Sequence, residues 1–232
     1  MLQGQKIGVV IFHRNVDKIY KPRWIEESIK SILNQTHQEF HIYEINYGGE
    51  DNSLIRKYGL ENHTFYQNPM ENYAEAMNFI ISKAFEDGCD YVFNTNLDDL
   101  YSPERIEKQI QYLREGEYDL ISCDFLYIEE FLEDDREIDK ITNFLAVSNL
   151  LPHIQQNFNF GHNIICHPGV CYTRKFWENN KYDISKVPSE DFELWKKSLS
   201  EGYKFGIVPQ FLVYYRIHNN QMGSRRIDKK EI

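Results

Sequence analysis

A mostly parallel α/β sheet flanked by helices is the fold class this sequence predicts, and three observations predict it. Short apolar runs rich in β-branched residues alternate with segments whose apolar residues recur at helical spacing. The alternation repeats about four times within the first 125 residues, the pattern of β-α-β units. The 232 residues are 41% hydrophobic and 15% aromatic, enough to build one sizeable core.

Lys6 to Phe12 (KIGVVIF) reads as a buried strand. Trp24 to Leu33 places Ile25, Ile29, Ile32 and Leu33 on one helical face. Phe40 to Ile45 is a second strand, closed by the turn signal Asn46-Tyr47-Gly48-Gly49. A short helix over Asp51 to Tyr58 and a short strand over Thr64 to Tyr66 follow. Tyr73 to Phe85 gathers Ala74, Met77, Ile81, Ala84 and Phe85 on one face, and Tyr91 to Phe93 is the next buried strand. Ser102-Pro103 is expected to open a helix, with serine at the N-cap and proline at the first helical position. Leu120 to Phe125 is the fifth strand. The second half is less regular. Glu129 to Lys140 carries seven carboxylates and reads as a solvated loop or helix face. Asp191 to Leu199 is helical, Phe205 to Ile207 and Phe211 to Ile217 are strands, and the tail holds Arg225, Arg226, Lys229 and Lys230.

Composition excludes some classes of function. Lys+Arg 26 against Asp+Glu 36 leaves a formal charge of −10, the wrong sign for a general nucleic-acid binder. Mean hydropathy is −0.60. No run approaches the roughly 18 apolar residues of a transmembrane segment, and Met1 to Lys6 lacks the character of a signal peptide. A soluble, cytoplasmic protein is therefore expected, with Cys89, Cys123, Cys166 and Cys171 as free thiols. A zinc site at Cys166 and Cys171 with His162 and His167 would need tighter, paired spacing.

Parallel sheets bind ligands at the carboxyl ends of their strands, so the loops after Phe12, Ile45, Phe93 and Phe125 are where chemistry is expected. Tyr91-Val92-Phe93 runs into Asn94-Thr95-Asn96-Leu97-Asp98-Asp99. Carboxylates there are costly unless they bind something, and Mg²⁺ or Mn²⁺ with a diphosphate is the natural partner. The plainer alternative is that they open the turn before Pro103. A second acidic pair, Glu190-Asp191, follows Ser189. It either stabilises a helix N-terminus or supplies a general base. Arg216 and His218 share one face of the last strand, packed against the protein or facing a phosphate or metal.

With those motifs in order, the chain from Lys6 to about Gly223 resembles a family-2 glycosyltransferase of the GT-A fold. Trp24 to Thr36 is similar to that family's first helix and following turn. Gly48 to Ser53 resembles its glycine-containing loop. Asn96-Leu97-Asp98-Asp99 with Pro103 stands where the family has Asp-x-Asp. Glu190-Asp191 with Leu194-Trp195 resembles its acceptor-side motif. Gly202 to Phe205, Pro209 and Tyr215 to His218 resemble its C-terminal signature.

The resemblance implies one domain over 1–232. Residues 1–125 would bind the donor, 126–223 the acceptor, and 224–232 would be a tail. It implies transfer, with inversion, of a sugar from a nucleotide-diphosphate sugar, a UDP-sugar first of all, to a hydroxyl of a glycan or other acceptor. Asp98 would hold Mn²⁺ or Mg²⁺, with His218 approaching the metal or diphosphate. Asp99 would hold the sugar or metal shell. Asp191 would be the base, supported by Glu190. Phe12, His13, Asn46, Tyr47, Asn78, Asn96 and Arg216 would complete the donor site, and His167 would precede the acceptor-side strand. Asn46 and Tyr47 stand where the family has two aspartates, so base recognition is expected to be retuned. Asn96 replaces an aspartate and supplies no charge. Two other readings are a sugar nucleotidyltransferase and a catalytically degenerate GT-A domain that binds a glycan or a protein. The first would need a glycine-rich loop after the first strand, and Phe12-His13-Arg14-Asn15 has none.

Overall fold

Period-two alternation along β1 (Ile7–His13) divides the molecule into layers. Ile7, Val9 and Ile11 pack into one core, while Val10 and Phe12 pack against the other. On the first face lies α2 (Pro22–Leu33), burying Trp24, Ile25, Ile29 and Ile32. The short α1 (Val16–Ile19) precedes it, entered through Asn15 at φ 53, a left-handed conformation asparagine tolerates. Then come β2 (His41–Asn46) and β3 (His63–Gln67), each parallel to its neighbour. On the second face α3 (Tyr73–Glu86) approaches β1 closely. A Cβ at Gly8 would lie 3.2 Å from the Ala84 Cβ and 3.1 Å from the Cys89 sulfur. Asn72 caps α3 by accepting the Glu75 N–H at 3.1 Å. β4 (Tyr91–Asn94) pairs parallel to β1. The computed structural model describes residues 4–134, 136–146 and 151–221; the basic tail lies outside them.

After β4 come β5 (Leu100–Tyr101), α4 (Arg105–Gly116), β6 (Leu120–Glu133) and β7 (Arg136–Leu145). α5 (Leu151–Asn159), β8 (Cys171–Thr173), α6 (Arg174–Asn179), α7 (Glu190–Ser200) and β9 (Phe205–Arg216) complete the described chain. The sheet runs β3-β2-β1-β4-β8-β6-β9-β5, with β7 paired to β6 outside this path. β8 is antiparallel to both β4 and β6, and β6 and β9 are parallel. The α/β alternation predicted for the first 125 residues is present, and the sheet is large and mostly parallel in its donor-side half.

Several local expectations are corrected. Asp51 to Tyr58 forms only a 3₁₀ turn at Arg56–Tyr58. α4 begins at Arg105, and Ser102 does not cap it; the Gln35 side chain, from the end of α2, accepts the Ile106 N–H at 3.1 Å. The last two strands are one, with register shifts about Asp124 where Pro209 and Gln210 interrupt the ladder. The acidic run is a β-hairpin, neither loop nor helix: Ile128 pairs with Ile141 and Phe131 with Ile138 across it, and its acids Glu130 and Asp139 are drawn inward by Arg23.

Candidate functional site

β4 ends at Asn94, and the loop 95–99 turns over the carboxyl edge of the sheet. Ser28 and Tyr101 donate to the Asn96 carbonyl at 3.0 Å each, and Thr95 donates to the Val10 carbonyl at 2.7 Å. These bonds bury Asp98 and Asp99 at 6% and 1% exposure. Asp99 Oδ1 accepts the Arg216 backbone N–H at 2.9 Å, and the Asn96 side chain also bonds Asp99. Asp98 Oδ2 lies 3.0 Å from His218 Nε2. The remaining oxygens, Asp98 Oδ1 and Asp99 Oδ2, are buried and accept no hydrogen bond from the described residues. Burial first, and the neighbouring Asp98 second, push the Asp99 carboxyl well above the usual carboxylate range.

His218 sits between aromatic rings. Its centroid is 5.0 Å from Trp24 and 5.5 Å from Tyr20. The Asn220 N–H donates to His218 Nδ1 at 3.2 Å, so the ring proton is on Nε2 and points at Asp98. Ligation of a metal through Nε2 requires loss of that proton. Burial, then the charges of Asp98 and Asp99, raises the Tyr20 phenol and keeps it neutral.

Two bare, buried carboxylate oxygens fit a hard divalent cation. Among the described residues no group of three or more His, Cys, Asp and Glu side chains could hold a metal by itself. The protein thus offers part of a coordination shell, the arrangement in which phosphate oxygens and water supply the rest.

The second acidic pair opens α7. Ser189 makes no side-chain cap there, contrary to expectation. Asp191 is half-buried; its Oδ1 accepts the Phe192 N–H at 2.7 Å and its Oδ2 accepts Asn163 Nδ2 at 2.9 Å. Glu190 is 2% exposed. Burial raises its carboxyl, against the opposing bond from Tyr73, and Glu190 Oε2 has no donor. His167 lies near Glu190 and bonds Tyr182 Oη at 2.9 Å. Its carbonyl accepts Asn94 Nδ2 at 2.9 Å, and buried Arg105 donates to the Asn94 carbonyl at 2.8 Å. The strand that delivers Asp98 is therefore tied to the segment beside Glu190.

Asn96, Asp98, Asp99, Arg216 and His218 come together, but Arg216 is turned away from any ligand. It is fully buried. Its Nε donates to the Asp98 carbonyl at 2.9 Å, its Nη1 to Asp139 and its Nη2 to Glu27 at 3.4 Å. Asn78 is likewise engaged: its amide exchanges bonds with the Tyr182 backbone at 2.8 and 2.9 Å. His13 is 1% exposed, with Nε2 3.0 Å from Glu44 Oε1. Glu44 also takes His63 at 2.8 Å, Leu54 N–H at 2.6 Å and the Ser53 hydroxyl. Burial opposes ionisation of Glu44, yet these bonds outweigh it and hold the pKa at about 2. The side chains of His13, Asn78 and Arg216 thus brace the site from behind. Asn46 accepts the Gly48 N–H at 2.7 Å and shapes the turn, while Tyr47 lies under Arg14 at 4.7 Å. Phe12 and Tyr47 are both half-buried at the rim of one core. Sequence reasoning missed Tyr20, Trp24, Glu44, Asn163 and the hairpin acids Glu130 and Asp139. No local pattern flags the last two, since the apolar residues Ile128 and Phe131, and Ile138 and Ile141, are spaced three apart. The four cysteines are buried and free.

Comparison with known proteins gives this arrangement a family. The glycosyl transferase family 2 model matches residues 9–180. An uncharacterized glycosyltransferase of Methanocaldococcus jannaschii is 26% identical over 90% of this chain and 71% of its own length. The O-antigen biosynthesis glycosyltransferase WbnJ of Escherichia coli is 26% identical over 92% of this chain and 80% of its own. S. aureus TarS 1-349 in complex with UDP-GlcNAc superposes with a TM-score of 0.67 at 13% identity, over 95% of this chain and 61% of that one. The mannosyltransferase PcManGT of Pyrobaculum calidifontis, in complex with GDP-Man and Mn²⁺, gives 0.63 at 12% identity, over 96% and 60%. The chain spans about three fifths of those two solved proteins. The fold is GT-A. No helix among the described residues is long and apolar enough to cross a membrane. With the family model covering most of its length, the chain belongs to glycosyl transferase family 2.

Proposed function

We propose that this protein transfers a sugar from a nucleoside diphosphate sugar, a UDP-sugar first of all, to a hydroxyl of a glycan or similar acceptor, with inversion. The observation that carries the reading is the pair of bare oxygens on Asp98 and Asp99 at the carboxyl edge of the sheet. Residues 1–125 form the donor side and 126–223 the acceptor side. The donor's base lies near Phe12, Asn46 and Tyr47. The bound nucleotide complexes of the two solved relatives support a nucleotide-sugar donor.

Asp98 and Asp99 would hold Mn²⁺ or Mg²⁺ through their bare oxygens, and the bound cation would supply charge neutralisation for the diphosphate leaving group. Asn96 orients Asp99, and His218 orients Asp98 through its Nε2 proton. Asp191 accepts the proton of the acceptor hydroxyl. That oxygen bonds the anomeric carbon on the face opposite the leaving group. The carbon–oxygen bond to the diphosphate breaks, and its electron pair stays with the diphosphate. Asn163 and the Phe192 N–H fix the Asp191 carboxylate. Glu190, with its carboxyl raised by burial, supports it from behind.

The test is Asp191→Asn. Asparagine keeps the size and helix-end preference of aspartate, and the expected result is turnover lower by about 10²-fold or more with donor binding retained. The wild-type product carries the inverted anomer. Near-normal turnover in the variant, or a retained anomer, overturns the mechanism. Metal-dependent nucleotide binding without any transfer would identify a binding module instead.

A further inference from the structure

The β6–β7 hairpin reaches across the molecule to the back of the metal loop. Its acids Glu130 and Asp139 face each other across the ladder and are 15% and 16% exposed. They do not face solvent as a charged rim would. Asp139 bridges Arg23, 3.2 Å away, and the fully buried Arg216. Glu130 accepts Arg23 at 2.6 Å and the Trp24 indole N–H at 2.9 Å, and it also pairs with Lys21.

Two lines run from these acids to the carboxylates of the loop. The first passes from Asp139 to Arg216, whose Nε grips the Asp98 carbonyl and whose backbone N–H is donated to Asp99. The second passes from Glu130 to Trp24. The Trp24 ring packs on His218 at 5.0 Å and under the Arg216 guanidinium at 5.0 Å, and His218 bonds Asp98. A guanidinium with no exposed surface needs a charged partner to keep its geometry. Two carboxylates partner it, Asp139 at Nη1 and, at the longer distance of 3.4 Å, Glu27 at Nη2, while Nε is given to the Asp98 carbonyl.

We infer that Asp139 and Glu130 of the hairpin are positioning residues for the Asp98–Asp99 loop, holding Arg216, Trp24 and His218 so that the two free carboxylate oxygens stay aimed at a shared cation. The inference rests on the proposed metal and donor site and adds to it. It makes the hairpin, on the acceptor side of the chain, a structural part of donor binding.

The experiment uses the full chain and UDP with Mn²⁺ as probe. Asp139→Asn and Glu130→Gln are compared with Asp139→Glu and with Glu133→Gln, whose parent side chain pairs with Lys140 on the hairpin surface. Asp139→Asn is expected to raise the Mn²⁺ concentration for half-maximal UDP binding about tenfold or more, the scale on which groups behind metal ligands act. Glu130→Gln shifts it in the same direction. Asp139→Glu returns it most of the way, and Glu133→Gln leaves it unchanged. Circular dichroism confirms that each variant folds. Hydrogen exchange over residues 212–217, read without nucleotide, is expected to quicken in Asp139→Asn because the Arg216 N–H loses its fixed acceptor geometry. Wild-type Mn²⁺ dependence in both Asp139→Asn and Glu130→Gln overturns the inference. If the wild type itself binds no UDP with Mn²⁺, the donor reading fails. The positioning claim is then decided by exchange alone, and unchanged protection of 212–217 overturns it.

Discussion

Two buried acidic sites stand on the same sheet and have opposite accounts. Glu44, in the middle of β2, has its two oxygens filled by four donors: two histidines, a hydroxyl and a backbone N–H. Asp98 and Asp99, in the loop after β4, each keep one buried oxygen with no donor among the described residues. A buried acid that is fully bonded is a structural element, and its pKa falls. A buried acid left partly bare is costly to ionise and is relieved by an arriving cation. The pKa directions agree, since Glu44 is lowered to about 2 and Asp99 is raised. Donors to both oxygens outweigh burial at Glu44, whereas at Asp99 burial and the neighbouring Asp98 charge prevail, and this separates the acid that builds from the acid that binds.

The largest expected effect breaks this contrast at the binding site. Asp98→Asn should weaken Mn²⁺-dependent UDP binding by about a hundredfold or more, at least the upper end of the cost of losing a group behind the ligands. Calorimetric titration with and without EDTA reads it, and equal affinities in the two conditions would remove Asp98 from metal binding. Next is Glu44. A drop from 4.5 to about 2 corresponds to about 3 kcal/mol favouring the folded, ionised state. Glu44→Gln should lose about that much stability in urea melts at pH 7, and a change under about 1 kcal/mol would show that the bonds are not needed.

The pH profile sharpens the same point. Because the folded pKa of Glu44 lies below its unfolded value, its contribution is complete above about pH 4.5 and is lost as pH falls toward about 2. The wild type should therefore lose stability through that window more steeply than Glu44→Gln, and parallel curves would contradict the assignment. The smallest effect has the opposite sign. Asp99 is raised when folded, so at pH 7 the metal-free protein is penalised either by a buried charge or by taking up a proton. Asp99→Asn should stabilise the metal-free protein by up to about 1 kcal/mol while weakening Mn²⁺ binding. A destabilised apo variant would mean that the carboxylate has a partner beyond Arg216 and Asn96.

The donor half was largely legible from the sequence. Its strands and helices are written in periods of two and 3.6, and local spacing decides them. β1, β2, β4, α2 and α3 lie within a few residues of their expected bounds. The acids Asp98, Asp99, Glu190 and Asp191 were legible as candidates because each follows a strand or opens a helix, positions where carboxylates recur for physical reasons. The acidic hairpin was misread because seven carboxylates dominate its composition, whereas its strands are matched by long-range contacts, Ile128 to Ile141, Phe131 to Ile138 and the acids to Arg23, that no local period shows.

By itself the sequence determined the layered α/β order, the free cysteines and which acids stand at strand ends. Only the tertiary structure decided which polar groups are already satisfied. Arg216 meets Asp139 from 77 positions away and Asn78 clasps Tyr182 across 104, so neither is free for the donor role that the resemblance implied. His13 spends its ring on Glu44 in the neighbouring strand. Whether a side chain is a brace or a ligand depends on its hydrogen-bond partners. Those partners are brought together by chain crossings that no local pattern encodes.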